Sequence, residues 1–149
     1  VIEPTDLDWL ALCLCTESNR PEEWPAIAQV IENRLSSGRW GNTYKSVILA
    51  PQQFSAFNDF TKKRGLSNTF ALASRREVPL LLMWAAAFVG NAAPGDYWTS
   101  AITRETLHYY SPVSMKPPGS KPPWAAQAKR LYTPSGIAAD RFVFAEGVP

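Results

Sequence analysis

A chain of 149 residues, 46% of them hydrophobic and with a formal net charge of +2, reads as a single globular domain over residues 1–149 with an ample core. No clustered Lys/Arg stripe argues for nucleic acid as a partner, and no apolar run reaches the ~20 residues that a bilayer span needs. Two cysteines, Cys13 and Cys15, and one histidine, His108, are too few soft ligands for a zinc site, so neither a metal nor an organic cofactor is implied.

Six Trp, five Tyr and seven Phe exceed what a core of this size requires. The surplus suits a groove that stacks on sugars or other apolar ligand faces. The chain begins at Val1 with neither an initiator Met nor a basic-then-apolar leader, which suggests a processed or truncated piece and leaves any targeting segment out of view.

Thr5 is the expected N-cap of a first helix, with Asp6 and Asp8 in its first turn. The run Trp9 to Cys15 is hydrophobic all round, so this helix belongs in the interior and ends near Glu17 or Ser18. Cysteines two apart on a helix face different ways, so Cys13 and Cys15 read as small core residues and not as a disulfide. Glu17 follows this run. Desolvation beside apolar surface disfavours a charged carboxylate and pushes its pKa upward, which is how a general acid is made. The plainer alternative is a helix end that faces water or pairs with Arg20.

Pro21 and Pro25 suit the start of a second helix, with Glu22 and Glu23 complementing its N-terminus. Regular helix is expected from about Trp24. Ile27, Ala28, Ile31 and Leu35 repeat at helical spacing, and Ser36-Ser37-Gly38 is the stop. Asn33 and Arg34 then read as the wet side of the helix and a favourable charge at its C-terminus. Thr43 caps a short helix through Leu49, which Pro51 ends.

The stretch Gln53-Phe54-Ser55-Ala56-Phe57-Asn58-Asp59 mixes amides, a hydroxyl and two aromatics, as hydrogen bonding and stacking to a sugar require. A polar loop pinned by two core Phe residues is the equal alternative. Lys62-Lys63-Arg64 reads as a solvated turn. Ser67 to Arg76 suggests another helix, with Arg75, Arg76 and Glu77 as its charged end. From Pro79, the run Leu80 to Val89 reads as a buried core helix stopping at Gly90-Asn91. Thr106 to Tyr110 and Arg141 to Ala145 have strand composition and are expected to meet as a small β element. The prolines between Ser111 and Pro123 keep that segment a loop, and Trp124 to Leu131 reads as a short helix. The fold class is therefore mainly α (α+β).

Glu17, a helix ending in Ile31-Glu32-Asn33-Arg34, the stretch Gln53-Phe54-Ser55-Ala56-Phe57-Asn58, then Tyr110-Ser111-Pro112, Pro123-Trp124-Ala125 and a terminal Phe142-Val143-Phe144 form an ordered set. Over nearly the whole chain it resembles the cell wall hydrolase family of spore-cortex lytic enzymes. The resemblance implies a lysozyme-like, mainly helical fold that cuts the glycan strand of peptidoglycan. The family's catalytic glutamate falls on Glu17, the polar residues of its Gln-Phe-Ser loop on Gln53 and Ser55, and its aromatic pair near Tyr109 and Tyr110. Asn58 belongs to the same suspected groove, and Asn33 is a candidate support for the loop around Glu17. The chain departs from the family in Thr16-Glu17-Ser18-Asn19-Arg20-Pro21, where members usually carry Gly on both sides of the acid. It also has Ala139-Asp140-Arg141 where many members place a His. It resembles a distant member, a bacteriophage one among the options.

Glycosidases ordinarily pair two carboxyl groups. Asp59, Asp96 and Glu105 are the candidates for a second one, but all lie in polar segments, and Glu17 alone stands in apolar context. A lytic transglycosylase, as the resemblance suggests, needs one acid. The expectation is thus a monomeric lytic transglycosylase acting at the bacterial cell wall, in the periplasm, outside the cell or from a phage virion. Its partner is the peptidoglycan glycan strand. A hydrolytic muramidase using Asp59 is the runner-up, and a non-catalytic glycan-binding or virion module stands behind both.

Overall fold

The computed structural model describes residues 5–50, 54, 77–90, 99 and 101–149. They fall into two compact units, Val1–Thr99 and Ser100–Pro149, and each is taken by itself. The expected helix over 67–76 lies outside the described residues.

In the first unit, α1 (Asp6–Glu17) begins at Thr5, whose hydroxyl accepts the Asp8 N–H while the Asp8 carboxylate accepts the Thr5 N–H. Such a reciprocal box satisfies two N–H groups that a helix start leaves without partners. All seven residues from Trp9 to Cys15 are buried. That is what an apolar run without a polar face demands, and α1 packs against three other helices of this unit. A short 3₁₀ turn (Pro21–Glu23) leads into α2 (Trp24–Ser37), which ends at Gly38 in the left-handed region, φ 71°. Glycine adopts this conformation without the steric cost that a Cβ brings. Thr43 and Ser46 form a second reciprocal box at the start of α3 (Tyr44–Leu49).

The fourth described helix, α4 (Glu77–Gly90), differs from expectation in two respects. It starts at Glu77, which the sequence assigned to the end of a preceding helix. Pro79 lies inside its first turn, where a missing N–H costs no intrahelical bond. Nor is it buried on all sides: Leu81, Ala85 and Phe88 are fully buried, whereas Leu80 is 56% and Met83 73% exposed. Residues four and three apart share one face, so this helix turns one stripe inward and carries apolar side chains on the other. No helix among the described residues is long and apolar enough to cross a membrane.

The second unit is built on an antiparallel sheet in which β3 (Val143–Glu146) lies between β1 (Thr106–Tyr110) and β2 (Arg130–Tyr132). The two expected strands meet: β1 (Thr106–Tyr110) pairs with β3 (Val143–Glu146), with Tyr109 opposite Phe144 and Tyr110 opposite Val143. The pairing slips once between Thr106 and His108. The outer strand β2 (Arg130–Tyr132), pairing Leu131 with Ala145, replaces the C-terminal part of the helix expected over 124–131. What forms there is a five-residue 3₁₀ turn (Pro123–Gln127). Ala128 leaves it in extended geometry, φ −69° and ψ 141°, and the Tyr132 ring packs on Phe144 at 6.2 Å. Burial of an aromatic ring outweighs the small helical preference of so short a segment. The fold is mainly α with a small β element.

Candidate active site

Glu17 is the last residue of α1 and is half-buried. The apolar helix behind it places fully buried Leu14 and Cys13 one turn away, so the carboxyl group sits where a dry interior meets the surface. Ser18 leaves the helix in extended geometry, φ −154° and ψ 139°, and its N–H still donates to the Leu14 carbonyl. This makes the change of direction abrupt.

The local field converges on Cys13. Burial pushes its thiol well above the ordinary cysteine range, the Glu17 charge adds to that rise, and the Arg34 guanidinium opposes it. A neutral, buried thiol of this kind is a packing group and not a nucleophile. Both cysteines are free and buried.

Arg34 and Asn33 correct the sequence expectation. They are not on the wet side of α2: Asn33 is 6% and Arg34 4% exposed. The Arg34 guanidinium lies 4.9 Å from the ring centre of Trp40 and 5.1 Å from that of Phe54. Its planar, weakly hydrated charge tolerates such a sandwich better than an ammonium would. Asn33 accepts a hydrogen bond from Gln29 Nε2 at 3.3 Å. Phe54, 1% exposed, is thus a buried anchor within the Gln53-Phe54-Ser55 stretch. Gln53, Ser55 and Asn58 themselves lie outside the described residues, as do Asp59 and Asp96.

Glu23 is the residue that sequence reasoning misplaced. Expected as a first-turn acid of α2, it is 1% exposed, and its Oε1 accepts the Ser18 hydroxyl at 2.5 Å. Trp24 Nε1 donates to the Ser18 carbonyl at 3.1 Å. The turn that follows Glu17 is therefore held by the residues that open α2.

In the second unit, Tyr109 and Tyr110 are neighbours on β1 and face opposite ways, as strand alternation dictates. Tyr109 packs on Phe142 and Phe144, with ring centres 5.6 and 5.7 Å away. Tyr110 and His108 share the other face and both meet Trp124, at 5.9 and 5.1 Å. The ring cluster of this face is His108, Tyr110 and Trp124. Trp124 comes from the Pro123-Trp124-Ala125 turn, and Tyr109 is set among the core phenylalanines. The described residues hold no group of three or more His, Cys, Asp or Glu side chains arranged for a metal ion.

The family model described as Cell Wall Hydrolase matches residues 19–137, most of the chain, and the protein belongs to that family. No curated protein and no solved structure matches it. Membership makes it a cell wall hydrolase acting on peptidoglycan. The matched residues take in Gln53, Ser55, Asn58, Tyr109 and Tyr110 and begin two positions after Glu17, so the case for Glu17 stands on its local geometry.

Proposed function

We propose that the protein is a peptidoglycan lytic transglycosylase that cleaves the bond between N-acetylmuramic acid and N-acetylglucosamine, with Glu17 as acid and then base. The observation that carries this reading is the setting of Glu17, half-buried at the end of a helix in which every residue from Trp9 to Cys15 is buried. The protonated carboxyl group donates to the glycosidic oxygen as the C–O bond breaks. The resulting carboxylate takes the proton from the muramic sugar's own 6-hydroxyl, whose oxygen closes on C1 to give a 1,6-anhydro ring. No water is consumed and no second carboxylate is needed.

Among the described residues, several other carboxylates have structural partners. Asp8 closes the cap of α1. Glu32 accepts a hydrogen bond from Tyr44. Glu105 pairs with Lys129 at 3.1 Å and Glu146 with Arg130 at 2.9 Å. Glu23 holds Ser18. A hydrolase of the same bond would need one more carboxyl group several ångströms from Glu17 to activate water or attack the sugar. Gln53, Ser55, Asn58, Tyr109 and Tyr110 are the glycan-binding residues of this proposal, and the enzyme acts as a monomer at the cell wall.

The test is mass spectrometry of the muropeptides released from purified peptidoglycan. Anhydro-muramic ends, one water lighter than hydrolysed ends, are expected from the wild-type protein. Glu17→Gln is expected to lose roughly 10²- to 10⁴-fold in rate. Reducing muramic ends would transfer the assignment to a muramidase, and full activity in Glu17→Gln would remove Glu17 from the chemistry.

A further inference from the structure

Ser18 is the first residue outside α1, directly after Glu17, and it is 5% exposed. Each of its polar groups is engaged. The N–H donates to the Leu14 carbonyl at 3.0 Å, and the carbonyl accepts Trp24 Nε1 at 3.1 Å. The hydroxyl accepts the Arg20 N–H at 3.0 Å. Its single proton has two acceptors within reach, Glu23 Oε1 at 2.5 Å and the Arg20 carbonyl at 3.3 Å, and the shorter contact decides. That length is typical of a hydroxyl donating to a carboxylate, a bond about twice as strong as one between neutral groups.

A glutamate 1% exposed is not required to start a helix. Glu22 next to it serves that purpose from the surface, and burial of a carboxyl group is costly unless its hydrogen bonds are made. The buried side chain reaches back five residues, past the exposed Asn19 and Arg20, to the hydroxyl of the residue that follows Glu17. A carboxyl group that ends a helix has its direction set by the backbone on both sides. The helix fixes one side of Glu17, and Ser18 is the other.

We infer that Glu23 is a positioning residue for Glu17: through the Ser18 hydroxyl it fixes the backbone turn that aims the Glu17 carboxyl group. It acts through Ser18 and not on the sugar. The inference rests on Glu17 being the general acid. Misplacing a reacting group by about 1 Å costs on the order of 100-fold in rate, which sets the size of the effect.

The experiment measures kcat and KM on purified peptidoglycan for Ser18→Ala, Glu23→Ala, Glu23→Gln and the Ser18→Ala/Glu23→Ala double variant, with Glu17→Gln as reference and a thermal melt of each. Ser18→Ala and Glu23→Ala are expected to lower kcat by about 10- to 100-fold with KM changed by no more than about twofold. Glu23→Gln, whose amide oxygen accepts the same hydrogen bond, is expected to recover most of that loss. The double variant should be no slower than the worse single one, because Glu23 acts only through the Ser18 hydroxyl that Ser18→Ala already removes. Folded Ser18→Ala and Glu23→Ala proteins with wild-type kcat, beside an inactive Glu17→Gln, would overturn the inference and leave the catalytic reading intact. Losses that multiply in the double variant, or a Glu23→Gln as slow as Glu23→Ala, would also overturn it. An active Glu17→Gln would remove the catalytic reading and this inference with it. Should Glu23→Ala fail to fold, the space-filling Glu23→Leu takes its place with the same expected loss, because Ser18→Ala also removes the acceptor of the Arg20 N–H.

Discussion

Replacing Arg34 by Lys keeps a positive charge near the end of α2 and removes the planar group that lies between Trp40 and Phe54. The guanidinium is 4.9 Å from one ring centre and 5.1 Å from the other, within the roughly 6 Å over which a ring face attracts a cation. The residue is 4% exposed, so little solvent screens either contact, and a desolvated cation–π pair contributes about 2 kcal/mol. An ammonium is a compact, strongly hydrated charge that costs more to hold in this buried setting than the weakly hydrated guanidinium does. The expected loss is therefore about 2–4 kcal/mol, which for a chain of this size lowers the melting temperature by roughly 2–4 °C per kcal/mol. Urea denaturation followed by tryptophan fluorescence measures it. Trp40→Leu in the Arg34→Lys background should cost about 1–2 kcal/mol less than in the wild type, because the partner is already gone. An Arg34→Lys protein within about 0.5 kcal/mol of wild type, or strictly additive costs in the double variant, would refute the stacking argument.

Removal of the Tyr132 hydroxyl by Tyr132→Phe takes away the acceptor of the Thr103 N–H at 3.2 Å and a 2.6 Å partner of the Thr106 hydroxyl, so a loss of about 1–3 kcal/mol is expected in urea denaturation. Gly41→Ala places a Cβ 2.3 Å from Ser46 Oγ at φ +104°, whereas Gly38→Ala at φ +71° meets nothing within 4 Å. By calorimetry the first should cost about 2–4 kcal/mol and the second about 1, and equal costs would show that the steric contact with the α3 cap is unimportant. Cys13 has its pKa raised by burial, so its proton stays bound in the folded state at pH values where the unfolded thiol loses it. The associated stability is complete below the unfolded value near 8.5 and declines above it by up to about 1.4 kcal/mol per pH unit. Denaturation of wild type and Cys13→Ala at pH 8 and 10 should show a shallower decline in the variant, and a thiol reagent should reach Cys13 only upon unfolding.

What the sequence displays well is what repeats or caps. Thr5 and Thr43, the all-apolar face of α1, the Gly38 stop and the pairing of β1 with β3 follow from local rules, and each is present. The sequence fails where a polar residue is used inside. Asn33 and Arg34 lie at the end of an amphipathic helix, and helical periodicity assigns charged residues there to solvent. Nothing local reveals that Trp40 and Phe54, distant in sequence from each other, close over the guanidinium. Strand β2 is only three residues long, too short for alternation to appear, and its place depends on Tyr132 finding Phe144.

The candidate site shows the same division at closer range. Glu17 stands out because it ends an apolar run, a property of consecutive residues. Glu22 and Glu23 are identical in type and adjacent in the chain, and both suit a helix N-terminus, so composition cannot tell them apart. The 3₁₀ turn at Pro21–Glu23 separates them: successive residues in such a turn point about a third of a revolution apart. One step carries the side chain from an exposed to a 1% exposed position. Pro21, by fixing the start of that turn, decides which carboxylate is sent inward to the Ser18 hydroxyl. The stretch between Glu17 and Trp24 therefore folds as one unit: Glu17 ends α1, Ser18 turns the chain, and Glu23, at the end of a single 3₁₀ turn, accepts the Ser18 hydroxyl.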